Sequence, residues 1–117
     1  MTTVRLKSIS QPAEIGDGAR VLVDPFWPPG ISKAEAGLDL WLKEVAPSPE
    51  LQQLFDDRLV EWREFRSRYL AELARNPAVA ILEGLADSDV LTLVSTATEE
   101  FPNPAVVLAG HLLSARG

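Results

Sequence analysis

The stretch Arg20-Val21-Leu22-Val23-Asp24-Pro25-Phe26-Trp27-Pro28-Pro29-Gly30 constrains this chain more than any other. A short aliphatic run ends at a carboxylate, and a loop of prolines, two aromatics and a glycine follows. A short β-branched and aliphatic run bounded by breakers predicts a buried strand over Arg20–Asp24. Pro25 has no N–H to give to a sheet ladder, so the strand stops near Asp24. Ligands of α/β proteins sit at the carboxyl ends of strands. Asp24 to Gly30 is therefore the first place to look for a function.

Two more strands are readable. Val4-Arg5-Leu6-Lys7-Ser8-Ile9 alternates apolar and polar residues, which predicts a half-buried strand at a sheet edge. Val90 to Ser95 is entered through the polar turn Asp87-Ser88-Asp89 and predicts a third. Ser10 to Ala19 is short for a parallel crossover, which takes about a dozen residues. The relative direction of the first two strands stays open.

Helix starts are marked by residue type. Ser32-Lys33-Ala34-Glu35 is a capping box, with Gly37 as its stop. Ser48-Pro49, Asn76-Pro77 and Asn103-Pro104 each place a capping side chain before a proline, which suits the first helical position. They predict helices over Pro49–Phe55, Pro77–Leu85 and Pro104 to about Ala115. Leu59, Trp62, Phe65, Tyr69 and Leu73 recur at spacings of three and four, predicting a longer helix over Arg58–Ala74. Glu64 with Arg68 and Arg68 with Glu72 are its solvent-side pairs. Leu38 to Val45 fits a helical turn or an extended segment. The expected fold is α/β, a small three-stranded, mainly parallel sheet with about five helices packed around it in one domain.

With 117 residues the chain is long enough for one packed core. A net charge of -6 argues against a nucleic-acid or anionic-membrane surface, while leaving room for a local basic pocket. The absence of cysteine removes disulfides, thiolate catalysis and cysteine metal sites, and fits a cytoplasmic location. No apolar run approaches the ~20 residues of a membrane helix. His111 is the single histidine, so no metal set or cofactor motif is readable and none is expected.

Arg20 to Asp24 followed by Trp27-Pro28 and Gly30 resembles the opening motif of a bacterial family, the compact YeaO-like branch of domain of unknown function 488. Leu38-Asp-Leu-Trp-Leu-Lys-Glu-Val-Ala-Pro-Ser48 resembles its second block, and Trp62 to Tyr69 with Glu72-Leu73 its third. Val90 to Val94, with Asn103 and Ala105 to Leu108, resembles its last. The resemblance runs over nearly the whole chain. It implies a small α/β domain with a short, mainly parallel sheet, and it implies no known reaction. The family's pattern carries an arginine after the strand-end aspartate and another before the glycine. Here those positions hold Pro25 and Pro29. A lysine and a histidine of the family's last loop correspond to Thr98 and Pro102.

Six residues are candidates for binding: Asp24, Trp27, Arg66, Thr96, Thr98 and Asn103. Asp24 ends a strand, where it serves either as a base or arginine partner or as a turn-former. Trp27 offers a stacking face or a plug for the core. On a helical wheel Arg66 falls inside the stripe of Trp62 and Tyr69, so its guanidinium needs a fixed acceptor, Asp24 or a ligand's anion. Thr96, Thr98 and Asn103 precede the last helix, whose amino end attracts anions, although Asn103 also serves as a plain cap. Three functions remain open. They are a non-catalytic or residual module binding a small anion, an enzyme on a small anionic or phosphorylated substrate, and a domain docking a protein through Phe26 and Trp27. The chain is expected as a monomer or small homo-oligomer.

Overall fold

The computed structural model describes residues 3–88, 90–96 and 103–116. Four strands, β1 (Val4–Ser8), β2 (Ala19–Leu22), β3 (Leu40–Trp41) and β4 (Leu91–Ser95), form one parallel sheet in the order β1-β4-β2-β3. Among the described residues five helices accompany it: α1 (Lys33–Ala36), α2 (Pro49–Asp56), α3 (Trp62–Leu73), α4 (Val79–Ser88) and α5 (Pro104–Arg116). The fold class is thus α/β, but among the described residues the sheet has four strands where the sequence predicts three. The extra strand, β3, has only two residues, too few to show a period. It lies in the ambiguous Leu38–Val45 segment, which is extended first and then a single 3-10 turn over Lys43–Val45.

β1 lies at an edge, as its alternating pattern requires. It never meets β2: β4 runs between them, parallel to both. The register lines up Arg5, Thr92 and Arg20 in one row and Leu6, Leu93 and Val21 in the next. Alternation sends these rows to opposite faces. The face with Val21, Leu91 and Leu93 meets α2 to α5 in the core, with Phe65, Tyr69, Leu82 and Leu108 almost wholly buried. Over the other face passes the short link between β1 and β2. Its Asp17 carbonyl accepts from Thr92 Oγ1 at 2.7 Å.

Capping chemistry sets most helix ends. Ser32 and Glu35 complete their reciprocal box, and Gly37 ends α1 in the left-handed conformation at φ 58°. Ser48 Oγ accepts from Leu51 N–H at 3.2 Å. Asn76 Oδ1 accepts from Ala78 N–H, but regular helix begins only at Val79, after a turn closed by i to i+3 bonds. The helix expected from Arg58 starts four residues later, at Trp62. The chain reverses through Arg58 at φ 60°, and Leu59 is 69% exposed rather than part of a stripe. The Glu64–Arg68 pair forms at 2.6 Å. Glu72 instead accepts from Ser48 N–H and Oγ at 2.9 and 2.6 Å, which ties α3 to the start of α2.

Asn103 is buried at the start of α5, and its Oδ1 accepts from Val106 N–H at 3.2 Å. Asn103→Ala is expected to cost ~0.5–2 kcal/mol, read as a lower urea midpoint at unchanged slope. An unchanged midpoint would mean that α5 does not depend on this cap.

Candidate functional site

A cleft of ≈ 470 Å³ opens at the carboxyl ends of β2 and β4. This size suits a small organic ligand. Val23 and Asp24 continue from β2, and Ser95 and Thr96 end β4, so two neighbouring strands place their last residues side by side. Pro25, Phe26, Trp27, Pro28 and Pro29 form one wall, and Pro47, Gln52 and Asp56 line it from the α2 side. Tyr69 of α3 and Pro104-Ala105 of α5 complete the described lining.

Asp24 is held in place. Its Oδ2 accepts both the backbone N–H of Thr96, at 2.8 Å, and the Thr96 hydroxyl. Both bonds land on one oxygen, so Oδ1 of Asp24 has no partner among the described residues. The Asp24 carbonyl accepts from Trp41 Nε1 at 2.8 Å. Trp27 is half-buried, and its Nε1 donates to the Ile31 carbonyl at 2.7 Å. Trp27 and Trp41 meet edge to face, centroids 5.6 Å apart, and Lys43 Nζ lies 5.7 Å over the Trp41 ring. Tyr69 donates its hydroxyl to the Val45 carbonyl. Burial, with Glu72 and Asp24 adding to it, pushes the phenol well above its usual range, so Tyr69 stays a neutral donor.

The cleft thus brings together Asp24, Trp27 and Thr96. Asn103 stands at its margin, one residue before Pro104, with its side chain engaged as a cap. Thr98 lies outside the described residues. Arg66 corrects the sequence reading. It is exposed on α3 and does not line the cleft, because the buried face of that helix is set by Phe65, Tyr69 and Leu73. Asp24 therefore pairs with Thr96 rather than with Arg66.

A second polar cluster lies on the opposite face of the sheet, and the sequence reading missed it. Asp17 has no exposed surface, yet Arg20 Nη1 donates to its Oδ2 at 2.7 Å and Lys7 Nζ at 3.0 Å. The Glu14 N–H donates at 3.1 Å, and Arg5 Nη1 lies 3.3 Å from Oδ1. Burial alone would raise this carboxyl; the bonds from Lys7, Glu14 and Arg20 outweigh it and hold the pKa at about 2. Arg20 also donates to the carbonyls of Gly37 and Ala36, which binds α1 to the same face. The signal was Arg5, Lys7 and Arg20 on strand positions that face one way. The chemistry is structural, because every charge in the group is answered within the chain.

Among the described residues no group of histidine, cysteine, aspartate and glutamate could hold a metal, and no helix is long and apolar enough to cross a membrane. Residues 3–116 match the family model described as the inactive DUF488-N3 subclade. The uncharacterized protein YeaO of Escherichia coli K12 is 42% identical over 112 residues, covering 95% of this chain and 97% of that protein. Two mycobacterial relatives are each 38% identical over 115 residues, covering 98% of this chain and 97% of theirs. They are the uncharacterized proteins Mb3100c of Mycobacterium bovis and Rv3073c of Mycobacterium tuberculosis H37Rv. No solved structure gives a significant match.

Proposed function

This chain belongs to the DUF488 family, in its inactive N3 subclade, and from that premise we propose that it is a non-catalytic module holding a small ligand in the strand-end cleft. One observation carries the reading. Pro25 and Pro29 both line the cleft, at positions where the resemblance to the family's opening motif implies arginines. Proline offers no donor and no charge to a reacting group. What remains is a mostly apolar hollow with two carboxylates, Asp24 fixed by Thr96 and Asp56 on α2, and no lysine, arginine or histidine among the described lining residues, features that orient a ligand. Thr96 spends its proton on Asp24 rather than on a substrate. Arg66, the cation an enzyme on anionic substrates would have used, is outside the cleft.

Binding without turnover is the expected result. In ¹⁵N-labelled protein, fragments that bind should shift the amides of Asp24, Trp27 and Thr96, and Trp27→Leu should weaken them. Turnover of a phosphate ester that disappears in Asp24→Asn would replace this reading with the enzymatic one. A docking role draws support from Phe26, which is 79% exposed. Its neighbour Trp27 is half-buried and bonded to Ile31, so the two do not form one flat patch.

A further inference from the structure

We propose that the cleft selects a cation: a primary amine or guanidinium carried on an apolar stem. This rests on reading the cleft as a binding site and gives that site its ligand class. Among the described lining residues the ionisable acids are Asp24 and Asp56, and there is no lysine, arginine or histidine. A small anion, the ligand first expected from the sequence, would find two carboxylates there and no described counter-charge. Like charges repel an anion there, and the apolar wall of prolines and aromatics screens that repulsion less than bulk water does. An ammonium meets the opposite situation. Among the described residues nothing engages Asp24 Oδ1, while the two bonds from Thr96 to Oδ2 fix the carboxylate before any ligand arrives. Asp56 gives one oxygen to Gln52 Nε2 at 2.8 Å and keeps the other.

The walls fit the same ligand. Trp27, Phe26 and the prolines are apolar, and aromatic rings attract cations through their quadrupole. The protein already uses this attraction beside the cleft, where Lys43 lies over Trp41. The net charge of -6 draws cations toward the molecule and repels anions. An apolar stem against the walls, with its charged head at Asp24, satisfies both halves of the cleft.

Isothermal titration with benzylamine, benzyl alcohol and benzoate tests this, since the three probes share a ring and differ in charge. Benzylamine is expected to bind roughly tenfold or more tighter than the alcohol, with added salt narrowing the gap. Asp24→Asn keeps an acceptor for Thr96 and should remove most of the gap between amine and alcohol. Asp56→Asn, on the exposed side of α2, should narrow the gap in part and serves if the first variant fails to fold. Equal binding of amine and alcohol overturns the charge selection and leaves the cleft as a binding site. Tighter binding of benzoate overturns the selection in favour of an anion. Silence from all three overturns the binding site itself.

Discussion

Gly18→Ala should destabilise the protein by about 3–5 kcal/mol, a large part of the stability of a domain this size. Gly18 has φ 62°, and a Cβ built there would stand 2.1 Å from the Val90 carbonyl oxygen and 2.8 Å from its carbon. That carbonyl is backbone at the entrance to β4 and accepts from Ala19 N–H at 2.9 Å, so it cannot swing aside without opening the sheet. Overpacking against a rigid neighbour adds to the cost of placing an alanine at positive φ. Gly30 is the control. Its φ is 81°, and a methyl group there would have nothing within 4 Å, so Gly30→Ala carries only the conformational cost of about 1–2 kcal/mol. Urea midpoints of the two variants should differ widely. Equal midpoints would show that the close approach to Val90 does not govern the site.

Asp17→Asn should lower the melting temperature by roughly 10 °C, and the loss should depend on pH. The substitution keeps the size of the side chain and removes the charge that faces two nearly buried cations. Lys7 and Arg20 side chains are only 6% and 4% exposed. Lys7 retains Glu14 at 2.6 Å, and Arg20 retains two carbonyls, so the cluster is weakened rather than emptied. The carboxyl of Asp17 is held at about 2, below its ordinary value near 3.8. A depressed carboxyl stabilises fully above its unfolded value and loses that contribution as the pH falls toward 2. The gap between wild type and variant should therefore be constant from about pH 5 upward and close in acid. At the alkaline end Lys7 is raised, chiefly by its bond to Glu14, so its contribution is complete below pH 10.5 and fades above it. A gap that stays the same down to pH 2 would show that the ionised carboxylate is not what holds the strap over the sheet.

Residue order alone determined the local parts of this protein. Branched and aliphatic runs made β1, β2 and β4, because a buried strand needs little beyond its own side chains and a breaker at each end. Ser32, Ser48 and Asn103 fixed helix starts, since a cap reaches no further than three residues along the chain. The apolar period of α3 pointed to Phe65, Tyr69 and Leu73 as the core side. The carboxyl end of β2 was legible as the place of the cleft, because Pro25 cannot extend a ladder, although the strand itself runs over Ala19–Leu22 and stops two residues before Asp24.

Tertiary structure decided everything that depends on which segments meet. β4 was inserted between β1 and β2, a pairing across more than 70 positions that no local pattern encodes. That insertion set Thr96 against Asp24 and so removed Arg66 from the role its helical wheel suggested. A wheel measures angle around one helix and cannot know where the buried sector ends or which neighbour covers it. The same insertion put Thr92 between Arg5 and Arg20, and a turn that read only as Gly16-Asp17-Gly18 became a buried carboxylate among cations. Charges are found in a sequence by type, but their partners are found only in space, because a buried ion is tolerated where the fold brings its counter-ion and nowhere else.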